Sequence, residues 1–207
     1  LRNARSFKGQ RPRWTKSRDE VIMHFMLHRL AVRDQTTLPY MIQSSFIPPA
    51  YPPCISPLNS LKKAMVKDLL VETHHRSSYL LLRTVTLENR MTAVIAVVED
   101  EEGDVVVLQL YNQDMARPDG DILPEGSVLV VKEPYFKIMS DGDYGIRVDH
   151  LSDIKFVPKY DKLVPSPWRK ELPVTAVSKM SAHDWRVKGN DFFNMSKYYL
   201  AIEWYGR

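Results

Sequence analysis

Short runs of β-branched and aromatic residues alternate with turn signals through the middle of the chain. The runs cover residues 79–86, 91–98, 105–111, 128–132, 136–139, 145–149 and 154–157. The residues between them are turn formers, such as those of 100–104, 124–126 and 140–143. Short strands in this order, with no long crossover helix, predict a small antiparallel β-barrel over residues 78–157. An OB-like barrel is the first choice, and an SH3-like barrel is the alternative.

Helical patterns precede the predicted barrel, so the fold class is α+β. Ser17 and Glu20 form a capping box ahead of apolar residues at helical spacing, which predicts a helix from Arg18 to Val32. Six prolines then favour an extended, proline-rich strap over residues 38–57. After the strap, a Ser-Pro start and apolar residues on one side predict a second helix to Val71, which completes a helical region over residues 17–72.

The C-terminal part returns to helix after an extended linker over residues 158–180. Residues 181–207 match the start of a tetratricopeptide repeat at five positions, namely Trp185, Gly189, Phe192, Ala201 and Tyr205. Gly at the central position lets two helices approach closely, because it has no side chain. An unrelated helical hairpin is the alternative. Because one repeat cannot bury its own apolar face, we expect the chain to be the N-terminal part of a longer protein.

Charge is distributed very unevenly along the chain. The net charge is +4, but residues 1–18 alone carry seven Lys or Arg and no acid. Residues 79–157 carry seven basic and fifteen acidic groups, a net charge of −8. The basic arm, residues 1–16, is expected to be disordered or to lie on a partner. It is interpreted first as a solubilising tail, and the alternatives are a nucleic-acid anchor or the remnant of a targeting sequence.

The sequence contains no recognisable catalytic constellation. It has no nucleophile elbow, no phosphate-binding loop and no dinucleotide fingerprint, and its single cysteine excludes a multi-cysteine zinc site. His24 and His28 stand four residues apart on the first helix, but they are interpreted as surface histidines because no third ligand is near. We therefore expect no catalytic residue, no metal site and no cofactor in this chain, and no membrane span.

One predicted strand pair offers a candidate contact face. Lys132, Tyr135, Lys137 and Arg147 cluster around it and are the candidate partner-binding residues. Aromatic and basic groups on such a sheet are typical of nucleic-acid binding, but a net charge of −8 opposes a polyanion and favours a basic protein segment. A barrel core filled by these aromatic residues is the alternative to either contact role.

Several sequence blocks resemble the N-terminal region of fungal proteins that carry tetratricopeptide repeats followed by a SET domain. They are Asp68–Arg76, Tyr79–Thr84, Arg90–Ala93, Val98–Asp100, Leu108–Tyr111, Lys132–Lys137 and Ile146–His150, together with the start of the repeat. The resemblance implies a C-terminal SET domain that uses S-adenosylmethionine to methylate lysine. It places no catalytic residue in this chain.

Together these patterns predict a noncatalytic protein-recognition or docking region of a larger SET-domain lysine methyltransferase. The alternatives are an OB-like nucleic-acid-binding module or a structural subunit of a large assembly. A protein or peptide partner is the first expectation, and nucleic acid could bind through the basic arm. The expected location is nuclear or cytoplasmic, with organellar targeting by the arm left open.

Overall fold

The computed structural model describes residues 4–13, 15–35, 49–113, 117, 120–169 and 180–205. These residues belong to two compact units, Leu1–Phe156 and Val157–Arg207. The first unit contains the β-sheet and one α-helix, and the second contains a pair of α-helices.

The predicted strands are all present, with ends shifted by a few residues. The described strands are β1 Lys62–Lys63, β2 Thr73–His74, β3 Ser78–Thr84, β4 Asn89–Arg90, β5 Val94–Glu99, β6 Val105–Leu110, β7 Val128–Lys132, β8 Tyr135–Ile138, β9 Tyr144–Val148 and β10 Ile154–Val157. They form one sheet in the order β10-β7-β3-β5-β6-β9-β8-β2, with β1 added beside β3 and β4 beside β5.

The sheet closes into a barrel because β7 and β8 are two halves of one bent strand. Only Glu133 and Pro134 separate them, and Glu133 has a φ of 45°, a left-handed conformation that turns the chain sharply. β7 pairs with β3 at one end of the strand order, whereas β8 pairs with β9 near the other end. The chain therefore joins the two ends of the sheet through this bend.

One strand pair in the barrel differs from the sequence-based expectation. The prediction of a purely antiparallel barrel is wrong, because β6 and β9 run parallel, with Leu108 opposite Ile146. The remaining barrel pairs, β3–β5, β5–β6, β3–β7 and β8–β9, are antiparallel. A Greek-key order with a parallel pair between β6 and β9 is OB-like, which agrees with the first choice of barrel.

Strict alternation of side chains builds the barrel core. Leu80 and Leu82 of β3 and Leu129 and Val131 of β7 point inwards and are fully buried. The same alternation places Leu108 of β6 in this core. Because side chains along a strand alternate between two faces, the neighbouring residues of β5, β6, β8 and β9 lie on the outer face of the barrel.

The predicted helix that ends at Val71 does not exist. Its place is taken by two 3-10 turns, Leu58–Ser60 and Val66–Asp68, and by strand β1, which pairs in parallel with β3. Leu69 and Val71 are both buried in the barrel core. Two residues spaced two apart can enter one core from an extended chain, whereas a helix would place them on different faces.

The first helix, α1, spans Arg18–Gln35 and begins where its cap predicts. The amide of Ser17 donates to the Glu20 carboxylate at 2.7 Å, and the amide of Glu20 donates to the Ser17 hydroxyl at 3.4 Å. The Glu20 carboxylate also accepts the Ser17 hydroxyl at 2.8 Å, and the hydrogen bonds from the Ser17 amide and hydroxyl lower the pKa of Glu20. Helix α1 packs on the outer face of β5 and β6. The strap residues 38–48 lie outside the described residues, and residues 49–57 form no helix or strand.

The expectation of a disordered arm is wrong for residues 4–13. A 3-10 turn over Ala4–Phe7 places the Phe7 side chain against the barrel core. Gly9 and Gln10 then exchange two backbone hydrogen bonds of 2.9 Å with Val71. The arm is held because Phe7 supplies an apolar anchor and the Val71 backbone supplies hydrogen-bonding partners.

The second unit contains two antiparallel helices, α2 Ala182–Asn194 and α3 Tyr198–Tyr205. Ser181 caps α2 by accepting the amide of Asp184 at 3.3 Å, and the Asp184 carboxylate accepts the Ser181 amide at 2.7 Å. Between β10 and these helices, the described residues 158–169 contain one 3-10 turn, Ser166–Trp168. The remainder of the predicted linker, 170–179, lies outside the described residues.

Candidate functional site

A cavity of about 550 Å³ separates α1 from the outer face of the barrel. Ile95 of β5 and Val107 and Gln109 of β6 line its floor, and Val21 and Phe25 of α1 line its roof. Among the side chains of α1 that the structure describes, only that of Phe25 is buried. The helix therefore covers a largely apolar sheet surface without filling the space beneath it.

One end of this cavity is acidic. Asp104 comes from the β5–β6 loop, and Asp141 and Asp143 come from the β8–β9 loop. Because β6 and β9 run parallel, with Val107 opposite Gly145, the loops that precede them meet at the same end of the barrel. The parallel pair thus places acidic groups from two distant loops side by side.

Basic groups from the covering segment neutralise this acidic end. Lys16 Nζ lies 2.5 Å from a carboxylate oxygen of Asp143, and His24 Nδ1 lies 3.3 Å from the same oxygen. Arg18 contacts Glu99 at 2.9 Å. The side chains of Lys16, Arg18 and His24 are 35%, 46% and 53% exposed, so water screens the Lys16–Asp143 pair, and an exposed pair of this kind stabilises a fold only weakly. Arg18, in contrast, meets a Glu99 side chain that is only 5% exposed.

The β5–β6 loop is held rigidly by a buried carboxylate. Asp100 accepts hydrogen bonds from the amides of Val66, Glu102 and Asp104 at 2.8, 3.0 and 3.1 Å. Burial raises the pKa of Asp100, and the three amide hydrogen bonds oppose that rise. Lys67 contacts Glu102 at 2.5 Å, which raises the pKa of Lys67. The position of Asp104 at the cavity is therefore fixed by its own loop.

The four predicted contact residues lie together along β7, β8 and β9. Tyr135 stands opposite Arg147 in the β8–β9 pair, and Lys137 is two residues further along the same face. Arg147 is only 4% exposed and forms a 2.7 Å ion pair with Asp149. Burial lowers the pKa of Lys137, and the nearby positive charge of Arg147 lowers it further. Arg147 is therefore buried on the outer face of the barrel, and the assignment of the four residues to partner binding stays a prediction.

The described end of the strap, residues 49–57, covers this strand pair. The hydroxyl of Tyr51 donates to the carbonyl of Arg147 at 3.3 Å and accepts the amide of Asp149 at 3.2 Å. Lys132 Nζ donates to the carbonyl of Cys54 at 3.3 Å. Burial raises the pKa of Tyr51. The predicted face thus binds the strap of its own chain, and its role towards another protein stays a prediction.

Tyr135 takes part in a second set of contacts on the same face. Its hydroxyl donates to Glu72 at 2.9 Å, and its ring lies 6.2 Å from the ring of Tyr51 and 5.9 Å from that of His74. Arg147 stacks over Tyr111 with its guanidinium carbon 5.1 Å from the ring centre. These aromatic side chains are held by intramolecular contacts and do not form an open stacking platform.

The repeat-motif residues meet between α2 and α3. Ala201 is 1% exposed, and Gly189 is buried against the ring of Tyr205. Trp204, which the motif does not include, lies 5.5 Å from the Trp185 ring and 6.2 Å from that of Phe192. The five motif positions are therefore packing positions of one hairpin. Their assignment to a tetratricopeptide repeat stays a prediction.

The sequence interpretation did not identify the cavity beneath α1. The signal that could have revealed it is the opposite charge of residues 1–18 and 79–157, which favours contact between them. Within the described residues, no group of three or more His, Cys, Asp or Glu side chains could hold a metal ion. Among the helices that the structure describes, none has the length and apolar character to cross a membrane.

The chain is similar in sequence to a fungal protein. A curated protein of Gibberella zeae named "Methyltransferase" is 40% identical over 166 residues, which is 79% of this chain. The chain spans 22% of the length of that relative. No protein-family profile matches the chain.

Two solved structures show low overall similarity to this chain. Fission yeast Pot1 with single-stranded DNA covers 72% of this chain and 48% of its own, with 11% identity and a TM-score of 0.36. The p204 HINb domain covers 39% of each chain, with 15% identity and a TM-score of 0.29. Both scores are low, so the description of the barrel as OB-like rests on its own strand order.

Proposed function

We propose that this chain is the noncatalytic recognition region of a larger protein-lysine methyltransferase. The observation that carries the proposal is the 40% identity to a fungal protein named "Methyltransferase", of which this chain matches only about a fifth. In this proposal, a SET domain lies in the part of the protein outside this chain and binds S-adenosylmethionine there. No residue of this chain is assigned to that cofactor or to catalysis.

The helix pair supports the proposed transition from barrel to tetratricopeptide repeats. Gly189 permits the close approach of α2 and α3 that the repeat requires, and Ala201 is buried beside it. Large apolar side chains of the pair remain exposed, including Phe193 at 54% and Ile202 at 71%. In a repeat array, stacking of the next repeat buries such side chains.

The cavity between α1 and the barrel supports a docking role. It joins an apolar floor, formed by Ile95 and Val107, to an acidic end, formed by Asp104, Asp141 and Asp143. Peptide-binding sites commonly combine an apolar pocket with a few polar groups that fix orientation. In an OB-like barrel, the same sheet face is the usual ligand-binding face.

The structure favours a protein partner over nucleic acid at this face. A polyanion needs unneutralised basic groups, whereas Lys16 and Arg18 are ion-paired with Asp143 and Glu99. The strands and loops of the barrel also carry a net charge of −8 over residues 79–157. The acidic end of this face, formed by Asp104, Asp141 and Asp143, suits a basic protein segment.

Methyl transfer by the full-length native protein tests this function. The protein is incubated with S-adenosylmethionine carrying a labelled methyl group and with proteins of a cell lysate, and labelled lysines are identified by mass spectrometry. Transfer to lysine is the expected result. Absence of transfer under conditions in which the protein is folded would overturn the methyltransferase assignment.

The recognition role is tested by steady-state kinetics on the identified protein substrate. The Asp104→Asn/Asp143→Asn variant of the full-length protein should raise KM several-fold and leave kcat unchanged, because the substitutions affect binding only. Glu125→Gln/Asp191→Asn is the matched control, since it removes the same charge from residues that do not line the cavity. A lower kcat with unchanged KM would contradict a recognition role.

A further inference from the structure

We propose that residues 15–35 form a displaceable cover over a docking site for a basic peptide. The site is the outer face of β5 and β6 with its acidic end, and its partner is a Lys/Arg-rich protein segment that carries one large apolar residue. The proposal rests on the recognition role given above and names the class of partner. The partner segment takes the places of Lys16, Arg18 and Phe25 of the cover.

The arm divides into an anchored part and a weakly held part. Residues 4–13 are integral to the barrel, because Phe7 packs against the core and the chain exchanges backbone hydrogen bonds with Val71. Arg13 adds a hydrogen bond from its amide to the Tyr144 hydroxyl at 3.1 Å. The described residues of the cover that follows are held by side chains instead: Phe25 is its one buried side chain, Lys16 and Arg18 contact carboxylates, and Arg29 donates to the carbonyl of Glu88 at 3.1 Å. Displacement of the cover would therefore leave the barrel and the first part of the arm intact.

The cover itself shows which chemistry the site accepts. It presents Lys16 to Asp143 and Arg18 to Glu99, and it inserts Phe25 over the apolar floor. Two basic groups followed by a large apolar side chain thus occupy the face at present. A partner with the same arrangement finds complementary groups at each position.

The acidic groups remain in place when the cover leaves. Glu99 is 4% exposed and is held from the other side by Arg83, whose Nε lies 3.0 Å from a Glu99 oxygen. Asp143 donates its own amide to the carboxylate of Asp141 at 3.0 Å within the β8–β9 loop. Because neither contact involves the cover, the site is preorganised for a second basic segment.

The space beneath α1 gives the partner an entry route. A cavity of about 550 Å³ already separates the helix from the sheet, with the acidic loops at one end. Two contacts close that end: the ion pair of Lys16 with Asp143 and the contact of His24 with the same carboxylate, and both basic side chains are partly exposed. Exposed pairs are weak and exchange readily with competing charges.

Peptide binding by the 207-residue chain tests the cover. The probe is a short fluorescein-labelled peptide in which Lys or Arg alternates with Gly around one Phe, and binding is followed by fluorescence anisotropy. The Lys16→Ala/Arg18→Ala variant should bind the peptide about two- to tenfold more tightly than the wild type, because the Lys16–Asp143 and Arg18–Glu99 pairs no longer hold the cover. Ser17 and Glu20 are unchanged, so the helix cap is retained.

Two further variants distinguish the loss of the contacts that hold the cover from a general effect of lower positive charge on peptide affinity. Lys62→Ala/Lys155→Ala removes the same charge from exposed residues that do not line the cavity, and it should leave the affinity near that of the wild type. Adding Asp143→Asn to Lys16→Ala/Arg18→Ala should abolish the gain in affinity. Equal gains in both double variants, or a gain that survives Asp143→Asn, would overturn the proposal.

The nature of the partner is tested with a single-stranded oligonucleotide. The oligonucleotide should bind the Lys16→Ala/Arg18→Ala variant no better than the wild type, because that variant has lost positive charge. Preferential binding of the oligonucleotide over the peptide would overturn the assignment to a basic protein segment. These assays contain no methyl donor, so their failure would leave methyl transfer by the full-length protein, which is measured separately, unaffected.

Discussion

The ring of Tyr205 in α3 lies against Gly189 in α2, in the space that a Cβ atom would occupy. The Tyr205 hydroxyl donates to the side-chain oxygen of Asn190 at 2.7 Å, which fixes the ring in this position. Glycine inside a helix costs roughly 1 kcal/mol relative to alanine. Its presence here is explained by the close approach of the two helices.

A larger residue at position 189 should therefore separate α2 from α3. We expect Gly189→Leu to increase amide hydrogen exchange across residues 182–205 about tenfold, because overpacking costs about 1–3 kcal/mol. The measurement is hydrogen exchange followed by mass spectrometry on the whole chain. Adding Tyr205→Ala should restore part of the protection. Val187→Leu, at an exposed position of the same helix, is the control, and equal exchange in both single variants would contradict the packing role.

Stability should fall as pH drops from 7 to 5, in part because of His75. Its Nε2 accepts the amide of Leu70 at 2.9 Å, and its Nδ1 lies 3.3 Å from the carbonyl of Pro134, so the neutral ring carries its proton on Nδ1. Burial is the main cause that lowers the pKa of His75 below its ordinary value of 6.5. Below pH 6.5, His75 therefore binds a proton more readily in the unfolded chain than in the folded protein. The free energy of unfolding falls as the pH falls.

The His75→Gln variant isolates this contribution. Glutamine can accept the Leu70 amide and donate to the Pro134 carbonyl without titrating. We expect a smaller loss of stability between pH 7 and 5 than in the wild type, measured by urea unfolding at each pH. His74 remains in both proteins, and burial also lowers its pKa, so some dependence on pH persists. An unchanged slope would contradict the role given to His75.

Local patterns predicted much of the fold because they depend on neighbouring residues. The alternation along β3 and β7 decides which residues enter the barrel core, and the Ser17–Glu20 box decides where α1 begins. The pattern around Leu69 was ambiguous, since apolar residues four apart suit a helix while Leu69 and Val71 together suit an extended chain. Burial in the barrel core decided between these conformations.

Long-range relationships could not be predicted from these patterns. The parallel pairing of β6 with β9 depends on how the whole barrel closes, and the left-handed conformation of Glu133 that permits closure is not indicated by its residue type. For the candidate site, the sequence located opposite charges in residues 1–18 and 79–157 but not their pairing. The individual contacts of Lys16 and Arg18 follow from the barrel geometry.

Glu88 should be essential for the loop that precedes β7. Its carboxylate is 3% exposed and accepts the amides of Gly120, Ile122 and Leu123 at 2.9, 3.2 and 2.5 Å. It also accepts Arg90 Nε at 2.8 Å. We expect Glu88→Ala to lower the free energy of unfolding by about 3–5 kcal/mol, because it leaves a buried guanidinium and three amides without this acceptor.

Urea unfolding followed by circular dichroism measures this effect. Glu88→Gln keeps one acceptor oxygen and should cost less than Glu88→Ala, about 1–3 kcal/mol. Glu125→Gln, an exposed residue near the same loop, should change stability by less than about 0.5 kcal/mol. A loss for Glu88→Ala as small as that of Glu125→Gln would show that the network does not support the barrel.

Variants of Arg147 test whether this residue stabilises the fold beneath the strap or contacts a partner. Arg147 and Asp149 form a buried ion pair, with side chains 4% and 1% exposed. Removing one partner leaves a buried charge, so Arg147→Met and Asp149→Asn should each lower the free energy of unfolding by about 3–5 kcal/mol. The double variant should lose less than the sum, with a coupling energy of about 1–3 kcal/mol.

Lys132→Ala is the matched control, because it removes the same charge from a partly exposed residue that also contacts the strap. Urea unfolding gives the stabilities, and hydrogen exchange over residues 49–57 reports whether the strap detaches. We expect faster exchange in Arg147→Met than in Lys132→Ala, because the Arg147 side chain holds the carboxylate of Asp149, which accepts the Tyr51 amide, and also donates to the carbonyl of Pro49. If Arg147→Met were instead as stable as the wild type and lost only partner binding, Arg147 would be a contact residue.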